Sequence, residues 1–210
     1  MNTYRKDDPL IIKVGGSLFD IPNLGSYIHE YLVTQHAERN VLLIAGGGDY
    51  ANVVRALDRI HQIGEEHAHW IAIKSLSVSA MFLSYICKQL PIIYDFNTIS
   101  HYQYAVLDPY TCIVQDISNS QSLPHNWSVT SDSIALRVAE MKKFSQVILL
   151  KSVTVANSSD WIELRHHGIV DDYSHVIKLR SNICTEIINF REWIATYSLR
   201  NRRGSDMNVI

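Results

Sequence analysis

Two strand-glycine-helix units lie close together near the start of this chain, and they constrain its fold more than any other feature. The apolar run Leu10-Ile-Ile-Lys13-Val-Gly15-Gly16-Ser17-Leu18 carries a lysine straight into a paired-glycine turn. A second run, Val41 to Ala45, enters Gly46-Gly47-Gly48-Asp49. Behind the first turn Leu24, Tyr27, Ile28, Tyr31 and Leu32 recur at helical spacing, and behind the second Ala51, Val54, Leu57 and Ile60 do the same. The order β-α-β-α predicts an α/β protein with a parallel sheet covered by helices. Glycines let backbone N–H groups approach an anion without Cβ interference. A lysine beside them adds a full positive charge, so the first turn is a candidate phosphate site.

A chain of 210 residues, 47% of them hydrophobic, can bury a full core, and one domain over 1–210 is expected. With 19 basic against 21 acidic residues there is no charge excess to draw it onto nucleic acid or a membrane, so phosphate binding must be local. Cys87, Cys112 and Cys184 are odd in number and widely spaced, which argues against a disulfide framework and fits a reducing cytoplasm. The polar start Met1 to Asp8 lacks the apolar core of a signal peptide, and the apolar-rich stretch Trp70 to Leu90 carries Lys74 and Lys88, unlike a membrane span.

Further along, a helix is expected over Glu65 to Leu90, closed by Pro91, then strands at Ile92 to Tyr94 and at Cys112 to Val114. A polar loop over Asp116 to His125 leads to a helix from Thr130 through Lys143, and Gln146 to Leu150 reads as a buried strand ending at Lys151. Trp161-Ile-Glu-Leu and Thr185-Glu-Ile-Ile read as shorter strands. Thr130-Ser131-Asp132-Ser133 admits two readings: a plain helix cap, or an aspartate that holds a catalytic lysine, or orients a magnesium-bound nucleotide, at a phosphate site. No Gly-x-x-x-x-Gly-Lys-Ser/Thr, dinucleotide fingerprint or Gly-x-Ser-x-Gly elbow occurs. His67 and His69 are two apart, His166 and His167 are adjacent, and neither pair has ligand spacing, so no protein-bound metal is expected.

The ordered set Lys13-x-Gly15-Gly16-Ser17, Gly46-Gly47-Gly48, Thr130-Ser131-Asp132-Ser133 and a strand ending at Lys151 resembles the amino acid kinase superfamily. The phrases Gly46 to Asp58, Ala68 to Lys74 and His125 to Ala135 are most similar to its [5-(aminomethyl)furan-3-yl]methyl phosphate kinase branch of methanofuran biosynthesis. Gly168-Ile-Val-Asp171 and Gly204-Ser205 are weaker matches. The resemblance implies a three-layer αβα sandwich with a mainly parallel sheet. Its acceptor lobe would cover about 1–125 and its nucleotide lobe about 126–210. It implies ATP with Mg2+, a phosphorylated small-molecule acceptor, and a homo-oligomer. Lys13 would lie on the transferred phosphoryl group, Asp132 would organise the lysines, and Lys151 would sit near the β-phosphate. Gly15, Gly16, Ser17, Ser131 and Asp171 would bind the nucleotide phosphates, and Gly46, Gly47, Gly48 and Arg55 the acceptor.

Two departures stand out. Where many relatives have Thr-Asp-Val-Asp-Gly this chain has Lys151-Ser152-Val153-Thr154-Val155, and where the branch has Asn-Gly it has Asn189-Phe190. The nucleotide half is thus altered while the acceptor half is intact. This keeps a second reading open, a kinase-fold protein that binds a phosphorylated ligand or an oxyanion, or serves as a partner subunit, without phosphoryl transfer. A uridylate or amino-acid kinase is the third.

Overall fold

In a computed structural model of the chain, residues 8–155 and 160–206 are described; the polar segment 1–7 lies outside them. Among the described residues six strands form one sheet: β1 (Leu10–Val14), β2 (Val41–Ala45), β3 (Ile92–Ile93), β4 (Tyr104–Leu107), β5 (Gln146–Lys151) and β6 (Cys184–Asn189). Their order is β3-β4-β2-β1-β5-β6 and every pairing is parallel. Parallel neighbours need crossovers, and helices supply them: α1 (Leu24–Gln35), α2 (Gly48–His61), α3 (Glu65–Ile86), α4 (Pro109–Asp116), α5 (Ser131–Lys142), α6 (Trp161–His166), α7 (Ser174–Arg180) and α8 (Phe190–Asp206).

Strand alternation divides the core in two. Leu10, Ile12 and Val14 of β1 face a layer with α1 and the aromatic side of α8, whereas Ile11 faces the layer built from α4, α5 and α7. Lys13 has the parity of Ile11, and Lys151 that of Val147 and Leu149, so both lysines emerge on the α5 face. Starting from β1 the chain builds outward through β2 before returning to β5 on the other side. The switch point, where ligands of open α/β sheets bind, therefore falls at the carboxyl ends of β1 and β5.

Two expected strands are helices. Cys112 to Val114 lies in α4, where Asp108 caps the N-terminus by accepting from Tyr110 N (2.9 Å) and Pro109 occupies the first turn. The strand of that region is the upstream Tyr104–Leu107. Trp161-Ile-Glu-Leu opens α6, because Asp160 accepts from Ile162 N (2.8 Å) and fixes a helical start. Thr185 to Ile188 is a strand, as expected. Phe190, standing in place of an expected glycine, begins α8 and is fully buried, stacked on Trp193 (centroids 5.3 Å apart) and edge-on to Tyr31. Asn189 Oδ1 accepts from Arg191 N (3.1 Å), so a side chain provides the helix start. Among the described residues no helix is long and apolar enough to cross a membrane.

Candidate active site

The two glycine turns pack back to back. A Cβ on Gly16 would lie 2.1 Å from Gly48 N and 2.5 Å from Gly48 Cα, and Gly48 itself has φ +53°. Both positions therefore require glycine, for close approach in one case and for left-handed backbone in the other. The strand ladder runs on into the turns, since Gly15 N donates to Leu150 O (2.9 Å) and Gly46 N to Val14 O (2.7 Å). Ser17 follows in a short 3₁₀ turn, its Oγ 2.9 Å from Ser152 Oγ. Arg191 at the start of α8 clamps this turn by donating to Ser17 O (3.0 Å) and to the Asp20 carboxylate (2.6 Å).

At the carboxyl ends of β1 and β5 the first turn of α5 places Asp132 between two lysines. Lys13 Nζ is 2.9 Å from Oδ1 and Lys151 Nζ donates to Oδ2 at 2.5 Å. Lys13 and Asp132 are 5% and 3% exposed, so their charges are held out of water. Burial by itself would raise the Asp132 pKa, but the two lysines outweigh it and bring it down to about 2. Burial and then repulsion from Lys13 lower the Lys151 pKa to about 8, despite the pull of Asp132. Two ammonium groups are thus gathered on one carboxylate at the carboxyl ends of β1 and β5, with the Asp171 carboxylate close by, an arrangement in which both cations can turn to the oxygens of an incoming anion.

Asp171 differs from its expected role. It lies under the N-terminus of α5, accepting at Oδ2 from Thr130 N (2.9 Å), Thr130 Oγ1 (2.7 Å) and Ser133 N (2.9 Å), and at Oδ1 from Ser133 Oγ and Ser174 N (2.9 Å). Both oxygens are engaged, so Asp171 positions the helix that carries Asp132 and offers nothing directly to a nucleotide. Burial and Asp132 nearby raise its pKa. Of the two readings of Thr130 to Ser133, the structure combines both: the segment is a capped helix start, with the cap supplied from Asp171, and its aspartate holds the lysines.

The cluster stands between two concavities. A cleft of about 570 Å³ is lined by Ser17, Lys151, Thr154, Glu163, His167 and Ile169, so the altered segment from Lys151 to Val155 forms its wall. On the other side a cavity of about 50 Å³ is lined by Gly47, Arg55, His69, Trp127, Thr130 and Ser131. The Arg55 guanidinium carbon lies 4.6 Å from the centroid of Trp127, whose Nε1 donates to Asp58 (2.9 Å). The structure thus brings Lys13, Asp132, Lys151 and the two glycine turns to one place, with Gly47, Arg55 and Ser131 at the smaller cavity. Sequence reasoning assigned no role to His69, Trp127 or the clamp Arg191. The first two stood inside quoted phrases, but nothing linear shows that positions 55, 69 and 127 converge. Among the described residues no group of three His, Cys, Asp or Glu could hold a metal ion.

No protein-family model matches the chain. It is similar to the [5-(aminomethyl)furan-3-yl]methyl phosphate kinase of Methanocaldococcus jannaschii, 29% identical over 148 residues that cover 68% of this chain and 65% of that protein. The match spans less than two thirds of the length of that relative. Among solved structures, the uridylate kinase from Archaeoglobus fulgidus superimposes with a TM-score of 0.59 at 18% identity, covering 86% of this chain and 90% of its own. The UMP kinase from Bacillus anthracis superimposes with a TM-score of 0.61 at 15% identity, covering 89% of each. The chain thus shares its fold with these two kinases and is similar in sequence, over 68% of its length, to the phosphate kinase.

Proposed function

We propose that this chain is an ATP-dependent kinase that transfers the γ-phosphoryl group to a small phosphomonoester, with [5-(aminomethyl)furan-3-yl]methyl phosphate as the acceptor. The observation that carries the reading is the buried Lys13-Asp132-Lys151 cluster, two ammonium groups held on one carboxylate between a nucleotide-sized cleft and a small second cavity. The acceptor identity is supported by convergence. The three phrases that resemble the furan branch, Gly46 to Asp58, Ala68 to Lys74 and His125 to Ala135, all contribute to the smaller cavity through Gly47, Arg55, His69 and Trp127.

In this reading the nucleotide lobe, about 126–210, holds ATP in the larger cleft and the lobe of about 1–125 holds the acceptor. The Gly15-Gly16 turn gives backbone donors to phosphate oxygens, and Lys13 neutralises charge on the oxygens of the phosphoryl group in flight. Lys151 stabilises the charge that grows on the leaving diphosphate. Asp132 keeps both ammonium groups aimed before substrate arrives. The acceptor phosphate is a dianion near neutral pH and attacks through its own oxygen to form a diphosphate, so no general base is needed. Among the described residues no cluster of carboxylates forms a cage for Mg2+, which suits an ion held mainly by nucleotide phosphates.

The test is calorimetric titration with a nonhydrolysable ATP analogue and magnesium, followed by an assay for the furan diphosphate. Saturable binding that weakens in Lys13→Ala, together with diphosphate formation by the wild type, is expected. Absence of nucleotide binding to folded protein would favour the second reading, a ligand-binding protein, for which the altered segment from Lys151 to Val155 is the specific motive.

A further inference from the structure

The hairpin of α2 and α3 carries more apolar side chains than it buries. On α2 the residues Tyr50, Val53, Leu57 and Ile60 recur every three or four positions and so share one stripe, yet all four are exposed. Val54 alone is buried on that helix. On α3 the positions packed into the core, among them Ile73, Leu76, Ala80 and Leu83, are buried, while Ile71, Val78, Met81 and Tyr85 stand in the open on the opposite side. The two helices run antiparallel and touch, since a short turn joins them and Ser79 Oγ of α3 donates to Gly47 O at the start of α2 (3.4 Å). Their helical phase sets both stripes on the outer side of the hairpin, as one apolar face.

The size of that face exceeds what a lone chain normally shows. Its eight large side chains are 41–70% exposed, which leaves roughly 800 Å² in view, above the roughly 300–600 Å² of the largest patch on a typical monomer and close to one partner's share of a standard interface. Charge is kept off the face and placed at its ends. Lys74, the one cation between Ile71 and Tyr85, turns its Nζ over the Tyr110 ring (3.3 Å from the centroid). Glu65 opens α3 and Lys88 follows its end, and both are exposed. Ile71 and Tyr85 each lie seven residues from Val78. An antiparallel pairing of α3 with itself about Val78 therefore sets Ile71 against Tyr85 of the second copy, and brings Glu65 within about one helical turn of its Lys88.

We propose that this face is the interface of a symmetric dimer, in which a second copy of the chain covers α2 and α3 about a two-fold axis at Val78. The occupant is a second copy because the face complements itself in apolar pattern and in end charges, and because its area meets the need of a stable dimer. The inference stands on the surface alone and is independent of the kinase reading. Since α2 carries Arg55 and α3 carries His69, the pairing also braces the helices behind the smaller cavity.

The test is the mass of the full chain in solution, by light scattering and sedimentation at micromolar concentration. Wild type is expected at twice the 24.0 kDa of one chain. Val78→Lys sets like charges against each other at the axis, so the mass should halve while far-UV circular dichroism is unchanged. Val78→Glu should do the same, and an equal mixture of the two variants should regain the dimer mass, because lysine then faces glutamate. Recovery on mixing is a result that general destabilisation cannot give. Tyr85→Lys, at a position 67% exposed, replaces Val78→Lys if that variant fails to fold, and it too should halve the mass. Leu199→Lys, equally open but on α8, should leave the dimer intact. Wild type at the mass of one chain would overturn the proposal and leave the face to a different protein. A dimer that survives both Val78→Lys and Tyr85→Lys would place the interface elsewhere and overturn it as well. Two monomeric Val78 variants that stay monomeric when mixed would overturn the pairing about Val78.

Discussion

Asp132→Asn changes one oxygen to an amide and leaves two buried ammonium groups facing each other without the carboxylate that sits between them. Lys13 and Lys151 lie 2.9 Å and 2.5 Å from the carboxylate oxygens. At an effective dielectric constant near 20, each contact at about 3 Å amounts to on the order of 5 kcal/mol of attraction, largely offset in the native protein by the cost of burying the charges. Removing one partner of such a buried set typically costs about 3–5 kcal/mol. For a chain of this size that is a drop in Tm of roughly 6–20 °C. Relief comes by deprotonation of Lys151, whose pKa is already lowered to about 8 by burial and by Lys13. The sign of the pH dependence follows. Between a folded pKa of about 8 and the ordinary 10.5, the unfolded chain binds more protons than the folded one, so stability from this group rises with pH across that window. In Asp132→Asn the folded value falls further and the window opens below pH 8. Thermal melts of wild type and variant from pH 6 to 10 are the assay. The variant should be least stable relative to wild type at the acid end and recover toward pH 10. A Tm within about 1 °C of wild type at pH 6 would refute the view that Asp132 holds two charged lysines.

Four further outcomes follow from the same geometry. Lys13→Ala should lower turnover by roughly 10²-fold to 10³-fold with the fold retained in circular dichroism; near wild-type turnover by the folded variant would sink the phosphoryl-transfer assignment. If Lys151 acts as a cation, the rate should fall as pH rises through about 8, and Lys151→Arg, charged throughout, should move that alkaline limb upward in a pH-rate profile. Gly16→Ala places a methyl group 2.1 Å from Gly48 N, a backbone clash that must spread the two turns, so calorimetry should show ATP-analogue affinity at least about 10-fold weaker. Arg137→Met strands Asp116, which is 1% exposed and takes both carboxylate bonds from that guanidinium (2.7 and 2.6 Å); denaturant unfolding should register a loss of about 3–5 kcal/mol.

Much of the fold could be read along the chain because its signals are local. The apolar runs at Leu10, Val41 and Gln146 are strands buried on both faces, which leaves no choice of environment for them. The failures were also local. Cys112 to Val114 has strand-like residues, yet Asp108 and Pro109 start a helix there, and the cap outweighs the weak propensity of a short apolar run. Gly15, Gly16 and Lys13 were visible as a phosphate turn because glycine and lysine declare their chemistry by type and spacing.

The α/β class, the two glycine turns and the lysine delivered to the first of them can be read along the chain, since each depends on residues that are neighbours in it. The remaining features needed the packed fold. Strand parity and the placement of β5 beside β1 put Lys13 and Lys151 on one face, and α5 sets Asp132 between them. Asp171 became a helix anchor in place of a ligand contact because the five donors around it come from segments more than thirty residues away as well as from its own turn. Arg55, His69 and Trp127 became one cavity only when α2, α3 and the segment before α5 packed together. The electrostatics of such a site depend on distance and burial, and neither quantity exists until the chain has folded.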